Sequence, residues 1–406
     1  MRRVLVLSAH HGQVDRRILA EVNTLAAAGR DVTLISVPAA SPGDGLDRRV
    51  RLIMDAPADK GRPVKAPWPV RIARRLPQGL RDRLRGARYV LKIGSDPLAR
   101  DYFARAADGQ TFDAIHCHDL PTLPVGLGLR DRLSPGAKVI YGAHELFPYQ
   151  SHVPGFQRYW SGIETAAIRR ADLVITVNES LARRLGEQYG IETPAVIYNS
   201  YGSMPERAPL SRAEFLAHFG APEGAFAVLL QGGLSDDRNL LNLVKAFGRL
   251  DPSTALLLLG GGPMAGRLRR LCRRRGIANV FFGDWLPQED LLRYVRHADL
   301  GVIPYTDSRL LNNRYCTPNK LFEFIEAQVP ICAADLPELR RIIRGQGIGD
   351  VYPMESVRDI ARAVADGRAR CERGEFTRAA RRAARETFAW ERQGRNLLAL
   401  YDRLKV

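Results

Sequence analysis

The stretch Asn312-Asn313-Arg314-Tyr315-Cys316-Thr317-Pro318-Asn319-Lys320-Leu321-Phe322-Glu323-Phe324 places polar amides, a cation and a carboxylate directly ahead of an apolar run that ends at Cys332. Pro318 lacks an N–H and clashes with a preceding helical turn, so it belongs in the first turn of a helix rather than inside one. From Asn319 onward, Leu321, Phe322, Ile325 and Ala327 can cover one side of that helix. Glu323 is expected in its opening turn, beside the unpaired N–H groups. A helix start offering N–H donors, a lysine and a carboxylate together can hold a diphosphate and a ribose at once. An ordinary capped helix has the same local pattern, so the rest of the chain has to decide.

Three further loops in the second half carry compatible chemistry. Leu230-Gln231-Gly232-Gly233-Leu234-Ser235-Asp236-Asp237-Arg238-Asn239 reads as strand, glycine turn and helix start. Its glycines allow backbone N–H groups to approach an anion, and Arg238 can grip phosphate oxygens through two N–H donors. Gly260-Gly261-Gly262-Pro263 ends the next strand, and Gly283-Asp284-Trp285-Leu286-Pro287 the one after. Trp285 could flank a base or simply pack. Four loops from successive strands, converging on one nucleotide-sized site, carry more weight than any one motif.

The first half has its own polar strand ends. Ser8-Ala9-His10-His11-Gly12-Gln13 leads into a helix whose first turn includes Asp15, but it lacks the GxGxxG spacing of a dinucleotide site. Ile115-His116-Cys117-His118-Asp119 sets two histidines on the same side of a strand end. No carboxylate or third histidine stands at a metal-binding spacing from them, so non-metal roles are expected. His144-Glu145-Leu146-Phe147 follows another strand, and two such clusters on neighbouring strands point to a site at the sheet edge.

The elements that must position these residues alternate throughout. Val4–Leu7, Val32–Val37, Val139–Tyr141, Leu173–Val177 and Ala195–Tyr198 are strand-like, separated by stretches of helical periodicity such as Ile18, Val22, Leu25 and Ala26. The pattern restarts at Ala227–Leu230 and runs through Ala255–Leu259, Val280–Phe282, Leu300–Ile303 and Ile331–Ala334. Alternation of this kind builds parallel sheets with right-handed crossovers. The expected fold is α/β: two doubly wound Rossmann-like domains facing a cleft, over residues 1–204 and 205–387, with a final helix over 388–406 crossing back to the first. A length of 406 residues suits two cores.

Composition narrows the partners. No apolar run is long enough to span a bilayer, and the apolar start after Arg2-Arg3 is too short for a signal-peptide core. Five scattered cysteines without CxxC spacing fit a reducing cytoplasm. The formal net charge of +17 suits nucleic acid, an anionic membrane surface or phosphorylated substrates, but an arginine-biased composition explains it equally well. Between Arg71 and Lys92, basic residues interleave with Ile72, Leu76, Leu80, Leu84 and Leu91. That segment could lie on an anionic membrane as a peripheral contact, or form a solvated surface helix.

In order and spacing these pieces resemble the GT-B glycosyltransferases, specifically the retaining family-four group. The matching residues are Asp15-Arg16-Arg17-Ile18, His116-Cys117-His118-Asp119, His144-Glu145-Leu146-Phe147, Glu164, Gly232-Gly233-Leu234 with Arg238, the glycine run at Gly260, Pro318-Asn319-Lys320-Leu321-Phe322-Glu323, and the tail from Trp390 to Tyr401. The resemblance implies a nucleotide-diphosphate-sugar donor held mainly by the second domain and an acceptor, small or lipid-linked, held by the first. It implies donor contacts at Gly12, Gly232, Gly233, Arg238, Gly261, Trp285, Pro318, Asn319, Lys320, Leu321 and Glu323. His11, Asp15, His118, Asp119 and Glu145 fall on the acceptor side, and His144, Arg238 and Lys320 take catalytic roles. Glu323 matches the second glutamate of the family's pair, whose role is to bind ribose hydroxyls, whereas Tyr315 replaces the first. Of the family's arginine–lysine clamp only Arg238 remains, Gly233 standing at the other position, with Lys320 the candidate replacement.

Under that reading no metal and no cofactor is required, since fixed cations stabilise the departing diphosphate, and no nucleic acid partner is expected. Two alternatives share the residues: a nucleotide-sugar epimerase of the same fold, and a non-catalytic nucleotide- or nucleic-acid-binding protein.

Overall fold

The computed structural model describes residues 2–9, 14–37, 45–54, 97–151, 153–201, 208–306 and 311–406. The chain divides into two compact units, Met1–Ile197 together with Gly394–Val406, and Tyr198–Gln393. The division thus falls at Ile197 rather than near residue 205, and the tail joins the first unit at Gly394 rather than 388. Tyr201 explains the first shift. It is buried in the second core, its hydroxyl donates to Glu323 and its carbonyl accepts from the Trp390 N–H. The Arg71–Lys92 segment, His11, Gly12 and the end of the 199–205 turn lie outside the described residues.

The first unit is a seven-stranded parallel sheet made of β1 (Arg3–Ser8), β2 (Asp31–Ser36), β3 (Arg51–Ile53), β4 (Ala114–His118), β5 (Lys138–Ala143), β6 (Leu173–Thr176) and β7 (Ala195–Val196), in the order β3-β2-β1-β4-β5-β6-β7. Its strands read as unbroken apolar runs because helices cover both faces. Val4, Leu5, Leu7, Val32 and Leu34 are wholly buried, each contributing about 1.5–3 kcal/mol over an exposed position. The first helix, Arg16–Ala27, begins where the Asp15 side chain accepts from the Arg17 N–H, and Gly29 closes it at φ +81°. Edge strand β3 escapes a pattern search because it has only two apolar residues.

The second unit repeats the plan with six parallel strands: β8 (Phe226–Gln231), β9 (Thr254–Leu259), β10 (Val280–Gly283), β11 (Leu300–Ile303), β12 (Ile331–Ala334) and β13 (Gly349–Tyr352), in the order β10-β9-β8-β11-β12-β13. Strand β13, Gly-Asp-Val-Tyr, is too polar to stand out in sequence. In each unit the order reverses beside the first strand, between β1 and β4 and between β8 and β11. Loops diverge there at the carboxyl ends, leaving room for a ligand. Among the described residues no helix is long and apolar enough to cross a membrane.

The helix Asn319–Glu326 is held against the second sheet by one close fit. A Cβ on Gly301 would come 2.5 Å from the Phe324 ring, so the glycine allows the ring to lie on β11. Phe324 is fully buried, and Lys320 and Glu323 ride on the helix it anchors. Gly301→Ala should therefore destabilise the chain by about 1–3 kcal/mol through overpacking. Urea unfolding should show this as a lower midpoint at unchanged slope; an unmoved midpoint would mean that the helix retreats freely.

Candidate functional site

At the carboxyl edge of the second sheet, two side chains gather around Tyr305, just beyond β11. The Arg238 guanidinium carbon lies 4.5 Å from the centre of the Tyr305 ring. The Lys320 ammonium donates to the Tyr305 hydroxyl at 2.9 Å. Both cations therefore face one aromatic, as cation–π contact favours. Lys320 is buried and its pKa is lowered to about 7, first by burial and then by Arg238, with Glu323 opposing. Arg238 stands on a short turn after β8, one-third exposed, with its Nε 3.2 Å from Asp237. A Cβ on Gly232 would lie 3.8 Å from the Lys320 ammonium, which sets the β8 loop against the same cation.

Glu323 sits one turn later in its helix than expected. The helix starts at Asn319 with Pro318 as its N-cap residue, which puts Glu323 in the second turn, away from the unpaired N–H groups. Its carboxylate accepts from the Tyr201 hydroxyl at 2.8 Å and from Gln231 Nε2 at 3.0 Å. The Asn319 side-chain Oδ1 accepts from the Asn199 side-chain amide. Leu321 is in the core, and Tyr315 stands in the turn between two short helices.

The glycine loops do less for an anion than their sequence suggests. The Gly232 N–H donates to Leu259, the Leu234 N–H to Gly261, and the Met264 N–H back to Leu234. A Cβ on Gly260 or Gly262 would strike the carbonyls of Gly232 or Leu234. These glycines serve mainly to let two loop backbones touch. Gly233 and Gly261, in contrast, open onto free space. Trp285 is 66% exposed and lies against the Gly260 turn, so it is not core packing.

The first unit has a second cluster, built on neighbouring strands β4 and β5. His116 and His118 stack at 4.3 Å, and His118 stacks on His144 at 5.2 Å. His118 Nδ1 lies 2.9 Å from His144 Nε2. Gly142 makes room for the rings: a Cβ there would come within 3.1–3.4 Å of a nitrogen on each. His116 and His118 are buried, while His144 and Glu145 are partly exposed. Burial pushes the His116 pKa down to about 3. His118, expected on the acceptor side, is instead an interior support for His144.

Asp15 is likewise committed elsewhere. Besides capping its helix it holds the Arg17 guanidinium through two bonds, at 2.8 and 3.0 Å. Arg17 also feels Asp119 and Glu145, which together with Asp15 hold its pKa above the ordinary value against burial. Asp119 is buried in the left-handed region at φ +64°, its N–H bonded to the Gly142 carbonyl. Glu21, one turn into the helix, lies among buried groups, and burial lifts its pKa to about 8.

Sequence reading missed Tyr305, Gln231, Tyr201, Arg17 and Glu21. Tyr305 had a usable signal, an aromatic just past the carboxyl end of a strand at the switch point. Glu21 had none, because its partners are remote in sequence.

Residues 14–201 match the family Glycosyltransferase Family 4, and residues 225–367 match the family Glycosyl transferases group 1. Together they take in most of the chain. Among solved structures, the chain is similar to a sucrose-phosphate synthase from Thermosynechococcus elongatus, at 18% identity and TM-score 0.73, covering 100% of this chain and 99% of that one. It is similar to HepE from Anabaena in complex with UDP, at 14% identity and TM-score 0.70, covering 99% and 100%. A glycosyltransferase from Rickettsia africae follows at 13% identity and TM-score 0.69, covering 99% and 98%. At these identities the likeness concerns the fold, GT-B. No curated protein sequence matches the chain.

The lowered pKa of Lys320 has a consequence for stability. Its folded value, about 7, lies below the ordinary lysine value of 10.5. Below pH 7 the lysine is charged in both states, and the folded chain bears the whole cost of burying that charge. As pH rises from 7 towards 10.5, the folded lysine loses its proton first and the cost fades. Lys320→Met should therefore raise the melting temperature more at pH 6.5 than at pH 9.5. An equal change at both values would show that the lysine charge is not strained.

Proposed function

We propose that this chain, which belongs to the GT-B glycosyltransferases of the family-four and group 1 kind, moves a sugar from a nucleotide-diphosphate-sugar to an acceptor hydroxyl with retention. The observation that carries the reading is the pair of cations on Tyr305, Arg238 and Lys320, at the switch point of the second sheet. Two positive groups held side by side repel one another, and a diphosphate relieves both. Breaking the sugar–diphosphate bond adds negative charge to the leaving group. Cations already in position favour that transition state most. The acceptor oxygen forms its bond to the anomeric carbon on the face the diphosphate leaves, and the departing diphosphate takes the acceptor's proton.

The remaining roles follow the chemistry of each side chain. Each carboxylate oxygen can accept more than one hydrogen bond, so Glu323 can still take ribose hydroxyls while Tyr201 and Gln231 fix its orientation. Exposed Trp285 offers a face for a base. In the first unit, partly exposed His144 can offer a ring nitrogen to a substrate hydroxyl, and its tautomer is coupled to that of His118. Glu145 and Asp119, with Arg17 among them, form the acceptor side. The relatives fit a nucleotide donor: HepE was solved with UDP and with UDP-glucose. WaaG is a glycosyltransferase of lipopolysaccharide biosynthesis, and a bacterial polysaccharide, glycolipid or specialised-metabolite acceptor suits this chain too. The transfer needs no metal and takes place in the cytoplasm.

A thermal-shift panel of nucleoside diphosphates tests this directly, because a ligand of the folded form raises its melting temperature. Uridine or guanosine diphosphate should stabilise the wild type, and Arg238→Ala should remove most of that shift. An undiminished shift in the variant takes Arg238 out of the site. Gly233→Arg supplies a second test. Its side chain would enter open space and add a cation to the diphosphate, so the dissociation constant should fall about tenfold. Weaker binding in that variant would place the phosphates elsewhere.

A further inference from the structure

Glu21, His116 and His118 come from two elements and meet inside the first unit. Glu21 Oε2 lies 3.6 Å from His116 Nδ1 and 3.7 Å from His118 Nε2, and the side chains are 7%, 1% and 0% exposed. The three ligand atoms all fall within 4.8 Å of one another. These separations are too long for hydrogen bonds, and Glu21 Oε2 has no hydrogen-bond partner. A buried oxygen left in that state needs an explanation, and an ion is one of the few available. Two ligands on one zinc ion, each at about 2.1 Å and at a tetrahedral angle, stand about 3.4 Å apart. The two separations from Glu21 need close by only a few tenths of an ångström.

We infer that Glu21, His116 and His118, with Tyr401 as fourth ligand, form a buried structural site for a zinc-like divalent cation. The Tyr401 hydroxyl is 2.9 Å from His116 Nδ1, the same nitrogen that faces Glu21. It is fully buried and lies within electrostatic reach of the Glu21 carboxylate. Two imidazoles with oxygen ligands suit zinc better than magnesium or calcium, which prefer all-oxygen shells. The outer shell is in place as well. His118 meets His144 through its other ring nitrogen, which fixes the ring as a ligand requires. Four protein ligands leave no open position, so the ion ties the final helix and the first helix to β4 and does not act on substrate. This inference runs against the expectation that these histidines have no metal role. Spacing along the chain could not have shown it, with Glu21 and Tyr401 so far from the histidine pair.

The test uses the full chain, free of any histidine tag, dialysed against dilute zinc chloride and then against metal-free buffer. Metal analysis should find about one zinc per chain, and zinc should raise the melting temperature. Cobalt(II) in its place should show the visible absorption of a tetrahedral ion. Glu21→Gln keeps the side-chain shape and should weaken zinc binding by about 100-fold or more, since even outer-shell changes cost 10–100-fold. His118→Asn should do the same, and an unchanged far-ultraviolet circular dichroism spectrum confirms that each variant folds. A folded wild type that retains no zinc overturns the inference, as does Glu21→Gln binding zinc as tightly as wild type.

Discussion

Two cations held against one tyrosine, with one of them buried, set the terms for the second unit. An ammonium taken out of water beside a guanidinium is unfavourable on both counts, and neither the Tyr305 ring nor its hydroxyl carries a charge to balance them. Glu323 offsets part of this through space, but it makes its own bonds to Tyr201 and Gln231. The arrangement is stable because the surrounding fold imposes it. Gly301 seats Phe324, Phe324 fixes the helix, and the helix delivers Lys320. A site strained in this way is ready to receive negative charge, and transition-state stabilisation requires that kind of readiness.

The first unit solves a different problem with the same sheet order. Its switch point is filled by imidazoles rather than cations, stacked from β4 to the loop after β5 over a glycine that gives them room. Only the outermost ring, His144, reaches partial exposure, and the inner two hold it in place. The acidic residues nearby are organised by Arg17, which Asp15 grips where the first helix begins. Helix start, guanidinium and carboxylates therefore form one unit, and losing the cap would disturb the charges as well.

Several of these features could be read without coordinates. The alternation of apolar runs and helical periodicity gives two parallel sheets, because strands buried on both faces must be continuously apolar. Arg238 and Lys320 stand out because each is a cation immediately after a strand or turn where loops converge. Other features were misread for local reasons. Glu323 was expected one turn too early because, counted from Asn319, it is the fifth helical residue and lies past the four N–H groups a helix start leaves unpaired. The glycine runs look like anion cradles but are occupied by each other, since a glycine serves close backbone packing and ligand approach equally well. His118 looked like a contact residue, but burial is not a property of a strand end viewed alone.

What the amino-acid order determined by itself is most of the elements, the parallel character of both sheets and the residues at the carboxyl ends of the strands it reveals. Those depend on periodicity and on turn chemistry, which act over a few neighbours. Only tertiary structure decided which of these residues meet. Tyr305 lies between Arg238 and Lys320, and Glu21 beside His116 and His118, because sheet order brings together positions tens of residues apart. Burial then changes what the groups can do, lowering Lys320 and raising Glu21. Desolvation depends on everything packed around a group, and no local pattern of residues carries that information.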